Sequence, residues 1–280
     1  MQPKTIEVGY GDVARVKIGK GLPLAYIGGP CAIESRDHAF KMAEMIAEIC
    51  QRVNIQWIFK ACYDKDCRSS PDSFHGVGLE EGLRILSDVR DTFGVPVVSD
   101  FSNPEWGKET GEVCDFVRIP AYLCRQTTIL RAAAETGRPV HLKKGQFMSP
   151  ESMKHAVTKV TDCNNEQVMV TDRGTMFGYQ DMIVDFRGIP TMKSFAPTVL
   201  DVTHSLQQPN QSSGVTGGRP DMIGTIARAG IAAGADGIFI ETHFDLSIAR
   251  SDAANMLEIK YLERLLSELT AIRKTVNSFK

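Results

Sequence analysis

The sequence predicts an α/β protein, a closed (β/α)8 (TIM) barrel preceded by an N-terminal β-hairpin. Three observations predict it: eight short apolar runs, amphipathic segments between them, and eight such alternations in about 250 residues. The runs are LPLAYIG (22–28), QWIFKA (56–61), VPVVSD (95–100), FVRIP (116–120), PVHLKK (139–144), QVMVTDR (167–173), TVLDVTH (198–204) and GIFIETH (237–243). Most are rich in Val, Ile, Leu or Phe, as strands covered on both faces should be. An open doubly wound sheet is the alternative, but no Gly-rich dinucleotide fingerprint supports it.

The elements follow in order. TIEVGYGDVARVKIG, within residues 1–20, reads as a small hairpin about a Gly-centred turn, placed to cover one end of the barrel. Helical periodicity is clearest at 39–53, 80–93, 127–137 and 222–234, and the chain ends on an amphipathic stretch at 257–276. Between 174 and 197 only MIVDFRG (182–188) offers a helical core. No linker or low-complexity segment interrupts the chain, so residues 1–280 read as a single domain.

Composition narrows the class. With 42% hydrophobic and 24% charged residues and a net charge of −2, nothing points to nucleic acid or an anionic membrane as partner. No apolar stretch approaches the roughly 20 residues of a spanning helix, and MQPKTIEVGY lacks a signal-peptide core. Seven scattered cysteines without a CxxC pair suggest reduced thiols in a cytoplasm.

In such barrels the active site lies at the carboxyl ends of the strands. Those ends carry Cys31, Lys60, Asp100, Arg118, Lys143 with Lys144, Arg173, His204, and Glu241 with His243. Scattered surface charge would not select one end eight times. Lys60, Lys65, Arg68, Lys143 and Arg173 should converge on a concave mouth, which is costly unless phosphates or carboxylates fill it. Cys31, His204, Glu241 and Asp252 offer a thiolate, an imidazole and two carboxylates, a set suited to Zn²⁺, Fe²⁺ or Mn²⁺. Spacing leaves the alternative open, namely a core thiol beside hydrogen-bonded His and Glu.

GGPCAIESRD, FKACYDKDCRSS, GVGLEEGL, IPAYLCRQT, LKKGQFMSP, DRGTMFGY, DVTHSLQ, TGGR, FIETH and SDAANML occur in that order from about residue 22 onward. This series resembles the 3-deoxy-D-manno-octulosonate 8-phosphate synthases, in a superfamily with a class of 3-deoxy-arabino-heptulosonate 7-phosphate synthases. The resemblance implies a barrel, usually a homotetramer, that condenses phosphoenolpyruvate with an aldose phosphate, arabinose 5-phosphate for the octulosonate enzyme. It implies one divalent metal ion per subunit (Zn, Fe, Mn or Co), because the metal-dependent branch has Cys after GP where the other branch has Asn. Cys31, His204, Glu241 and Asp252 match its four ligand positions. Lys60, Lys65, Lys143 and Arg173, with Gln146 nearby, match positions that hold phosphoenolpyruvate. Arg68 and Ser69 match an aldose-phosphate site shared across a subunit interface, and Cys67, Asp100, Arg118 and Gln207 complete the expected substrate-binding set. Lys60, His204 and Asp252 are the expected catalytic groups, with the general base unassigned.

Departures gather near the acceptor sugar. KDCRSS stands for the common KANRSS, SDFSN for TDVHE (losing a His at Ser102), Arg118 for Gln, and Cys62 for a small residue such as Ser; FDLSIAR follows FIETH in place of an acidic, proline-containing stretch. A paralogous synthase using another aldose phosphate, and a non-catalytic sugar-phosphate sensor, are the competing expectations.

Overall fold

The computed structural model describes residues 4–67, 72–176, 180–209, 211 and 216–279. Strands β1 (Thr5–Val8) and β2 (Val16–Gly19) form the expected antiparallel hairpin, while residues 1–3 lie outside the described residues. Alternation turns Ile6, Val8, Val16 and Ile18 inward, onto a cluster that includes Ile27, Ile58, Val98 and Phe239. The Gln56 side chain fixes the contact, donating to Lys17 O at 2.8 Å and accepting from Lys17 N at 3.0 Å. Gln56 begins a barrel strand, so the hairpin covers the amino ends and leaves the carboxyl ends open.

The eight apolar runs become β3 (Ala25–Gly29), β4 (Gln56–Lys60), β5 (Val97–Asp100), β6 (Phe116–Ile119), β7 (Val140–Lys143), β8 (Val168–Asp172), β9 (Thr198–Asp201) and, later in the chain, β12 (Gly237–His243). They pair in parallel in that order, and β12 pairs with both β9 and β3, closing the barrel. The last strand therefore lies between the seventh and the first. Two short additions flank it: β10 (Gln207–Gln208) pairs with β11 (Gly217–Gly218), and β13 (Leu257–Glu258) extends β12.

One helix follows each barrel strand: α1 (Arg36–Val53), α2 (Leu79–Phe93), α3 (Gly107–Val113), α4 (Thr127–Glu135), α5 (Met153–Thr161), α6 (Gly188–Lys193), α7 (Ile223–Ala232) and α8 (Leu262–Ser278). Helix α1 begins three residues earlier than its apolar periodicity does, because Ser35 caps it by accepting from His38 N at 3.1 Å. Arg273 of α8, almost fully buried, donates to Gly19 O, Leu22 O, Ala235 O and Asp236 and so ties the last helix to the hairpin exit. None of the described helices is long and apolar enough to cross a membrane.

Two helix expectations are corrected. MIVDFRG is not helical: Ile183 exchanges backbone hydrogen bonds with Thr175, and the Asp185 side chain accepts from Arg187 N. The helix starts at Gly188, with Pro190 in its first turn, where a missing N–H costs nothing. The C-terminal stretch is not helical from residue 257. Leu257 pairs with Thr242 on β12, which uses the strand's unpaired edge, and α8 begins only at Leu262.

Candidate active site

Close backbone packing sets the position of Cys31. A Cβ on Gly29 would lie 2.2 Å from Lys60 O, so only glycine lets the ends of β3 and β4 approach this closely. Beyond the strands the two chains stay paired, with Cys62 N donating to Cys31 O at 3.3 Å and Ile33 N to Cys62 O at 2.8 Å. Cys31 is thereby held, buried, at the carboxyl mouth.

The mouth opens into a cavity of about 340 Å³ lined by Lys60, Lys65, Cys67, Asp100, Lys143, Gln146, Arg173, His204, Gln207, Glu241 and Asp252, among others. Eleven of the residues expected from sequence thus border one space. Arg118 does not line it; its fully buried guanidinium contacts Asp100 and lies over the Phe239 ring, 4.4 Å from the centroid. Cys67 also borders an adjoining cavity with Ser102, Asp64 and Asp66. Arg68 and Ser69 lie outside the described residues.

Two strand-end groups turn elsewhere. Lys144 points away from the mouth by the alternation of β7, donating to Gly174 O at 2.9 Å with Asp172 at 3.4 Å. His243 meets His38, Nε2 to Nε2 at 2.9 Å, with Glu34 at 3.6 Å.

Inside the cavity, charges alternate. Lys60 Nζ donates to Glu241 Oε1 at 2.6 Å and to Cys31 O at 2.7 Å. Lys65 Nζ lies 2.6 Å from Cys31 Sγ and 2.7 Å from Asp252 Oδ2. Arg173 donates to His204 O at 2.7 Å and to Gln207 Oε1 at 2.5 Å. Burial opposes the charge on Glu241, but Lys60 and His204 outweigh it and bring the carboxyl down to about 2. Burial, and then Arg118, depress Lys143 to about 8, against the pull of Asp201. Burial also lowers Arg173. The carboxylates Glu241 and Asp252 instead raise Lys60 and Lys65, so the two cations whose charge burial disfavours, and which an anion would relieve, are Lys143 and Arg173.

Asp201 was not singled out from the sequence, although a carboxylate ending a buried apolar strand three residues before His204 was a readable signal. Fully buried, it forms an ion pair with Lys143 Nζ at 2.7 Å and contacts His204 Nδ1 at 2.8 Å, both through Oδ2. Its Oδ1 accepts from the Thr203 and His204 amides. With Nδ1 turned to Asp201, His204 Nε2 faces Glu241 Oε2 and Asp252 Oδ2, each at 3.5 Å.

These donors suit a divalent metal. One ligand atom from each of Cys31, Glu241 and Asp252 lies within 4.8 Å of the other two. Glu241 Oε2 is buried without a hydrogen-bond partner among the described residues, which is costly for a carboxylate unless a cation takes it up. A carboxylate behind the imidazole is the usual support of a metal-binding histidine. Burial and Glu241 push the Cys31 thiol well above its ordinary value, and a bound dication reverses that bias by stabilising the thiolate.

Residues 4–278 match the DAHP synthetase I family. The sequence is 48% identical over 267 residues to the 2-dehydro-3-deoxyphosphooctonate aldolase of Koribacter versatilis (strain Ellin345), covering 94% of this chain and 96% of that protein. It is 43% identical over 276 residues to the protein of the same name from Synechococcus sp. (strain ATCC 27144 / PCC 6301 / SAUG 1402/1), covering 98% and 96%. It is 44% identical over 263 residues to that of Desulfatibacillum aliphaticivorans, covering 94% and 96%.

Proposed function

Because the chain belongs to the DAHP synthetase I family, we propose that it condenses phosphoenolpyruvate with arabinose 5-phosphate to give 3-deoxy-D-manno-octulosonate 8-phosphate and phosphate. The observation that carries this is the meeting, in one cavity, of His204, Glu241 and Asp252 with Lys60, Lys65, Lys143 and Arg173, with the Cys31 thiol against Lys65. The names of the relatives support the octulosonate product over a paralogous one, and the presence of Lys60, Lys65, Lys143 and Arg173 on the cavity disfavours a sensor.

In the condensation, C3 of phosphoenolpyruvate bonds to the aldehyde carbon, cationic character develops at C2, water adds there, and phosphate leaves by C–O cleavage. Lys143, Arg173 and Lys65, with Gln146, hold the phosphate and carboxylate of phosphoenolpyruvate, since clustered buried cations bind anions through strong charge-assisted hydrogen bonds. Asp100 and Cys67 face the aldose in this assignment, Arg68 and Ser69 are assigned to its phosphate by resemblance alone, Arg118 acts on it through Asp100, and Gln207 steadies Arg173 and Asp252. Cys31, His204, Glu241 and Asp252 hold the metal ion, one per subunit and drawn from Zn, Fe, Mn or Co. When bound, the ion supplies a Lewis acid that polarises the aldehyde or acidifies water. Lys60 keeps Glu241 ionised and oriented, and Asp252 and His204 stand nearest for moving protons.

A homotetramer in the cytoplasm belongs to the same proposal. Exposed Tyr122, Phe147 and Ile183 give apolar surface for self-association, and seven unpaired cysteines suit a reducing compartment.

Phosphate release from phosphoenolpyruvate across a panel of aldose phosphates tests the function. Turnover should be fastest with arabinose 5-phosphate. Inactivity with that sugar beside brisk turnover of another aldehyde would promote the paralogue, and inactivity with all of them the sensor.

A further inference from the structure

Lys65 and a metal ion lay claim to the same atoms. The Lys65 ammonium, nearly buried, lies 2.6 Å from Cys31 Sγ, 2.7 Å from Asp252 Oδ2 and 3.4 Å from Ser251 Oγ. Cys31 and Asp252 are two of the three residues whose ligand atoms converge. Lys60 behaves differently, engaging Glu241 Oε1 and leaving Oε2 open. An ammonium and a dication cannot both sit in contact with one thiolate and one carboxylate, because their mutual repulsion is strong in a dry site. The Lys65 backbone is fixed, its N–H donating to His75 O at 2.7 Å, but the long side chain already borders the substrate cavity. A lysine side chain has several staggered rotamers available, so its ammonium can move without a change of backbone.

We propose that Lys65 is an exchangeable counter-ion that couples metal binding to phosphoenolpyruvate binding. In the metal-free protein its ammonium balances Asp252 and lies against the Cys31 thiol. A metal ion displaces it, and the released ammonium joins Lys143 and Arg173 around the anion. Phosphoenolpyruvate in turn draws Lys65 away from the ligand atoms and eases metal entry. Linkage makes the two effects equal in size. This inference rests on the metal and anion assignments of the proposed function.

The test uses the full-length protein without aldose, measuring Zn²⁺ affinity by chelator competition and phosphoenolpyruvate affinity by calorimetry. In the wild type, Zn²⁺ should tighten phosphoenolpyruvate binding about tenfold, and phosphoenolpyruvate should tighten Zn²⁺ binding by the same factor. Lys65→Met, checked for fold by circular dichroism, should bind Zn²⁺ alone about tenfold more tightly. Its phosphoenolpyruvate affinity should no longer respond to Zn²⁺. Coupling that survives in Lys65→Met would mean the metal attracts the anion directly and would overturn the proposal. Unchanged Zn²⁺ affinity in that variant would also overturn it, as would absence of coupling in the wild type, which needs no variant. Cys31→Ala separates the two levels. Wild-type Zn²⁺ affinity in that variant would overturn the metal assignment itself, whereas weakened Zn²⁺ binding without coupling overturns only the role of Lys65.

Discussion

Asp201 and His204 meet at 2.8 Å through Oδ2 and Nδ1, and this contact directs the other imidazole nitrogen at Glu241 and Asp252. The same carboxylate holds Lys143 at 2.7 Å, so one buried anion positions both the imidazole and a cavity cation. Asp201→Asn keeps the shape and removes the charge. Metal affinity should fall about 10–100-fold, the usual effect of losing such support. Chelator competition on the folded variant checks it, and an affinity equal to wild type would show that His204 needs no orienting carboxylate.

Cys31 supplies the one soft donor of the set. Cys31→Ala should bind metal far more weakly, since a thiolate ligand is gone and three groups must hold the ion. The purified wild type should carry close to one transition metal per chain, measured by elemental analysis. Full activity of a metal-free preparation would remove the metal from the mechanism.

Arg173 stands at the anion end, braced by His204 O and Gln207. Arg173→Ala should raise the KM for phosphoenolpyruvate about 30-fold or more, in line with roughly 2–5 kcal/mol for a buried charged contact. Fold should survive, because this cation borders the cavity rather than the apolar core. Unchanged phosphoenolpyruvate kinetics in a folded variant would place the anion site elsewhere.

Burial, then His243 and Lys41, lower His38 from an ordinary 6.5 to about 4. Between those values the unfolded chain binds a proton that the folded one refuses. Stability is therefore greatest above 6.5 and falls as pH drops toward 4. His243, also lowered by burial, adds to the same slope. His38→Gln should flatten the dependence of the urea midpoint on pH across that window. A wild-type midpoint that does not move there would contradict the shifts.

Cys67 borders both the main and the adjoining cavity, at a position where Asn is common in the family that the sequence resembles. A thiol pairs a sugar hydroxyl poorly, so discrimination among aldose phosphates should be weaker than Asn would give. Cys67→Asn should sharpen the preference for arabinose 5-phosphate in competition assays. No change in the ratio of kcat/KM values would take Cys67 out of acceptor recognition.

The sequence by itself determined the barrel, the covering hairpin and the polar groups that end the strands. Strands buried on both faces read as apolar runs, and a closed parallel barrel puts their carboxyl ends together whatever the side-chain details. It did not determine the helix after β8 or the start of α8. In both places a local apolar pattern serves a backbone pairing, Ile183 with Thr175 and Leu257 with Thr242, that periodicity does not register. Only the tertiary structure decided which strand-end groups share the cavity. It turned Lys144 and His243 away, set Arg118 against Asp100, brought in Asp201, and laid Lys65 against Cys31. The physical reason is that a strand end specifies where a backbone arrives, whereas the direction of each side chain depends on which opposite charge lies within reach across the barrel.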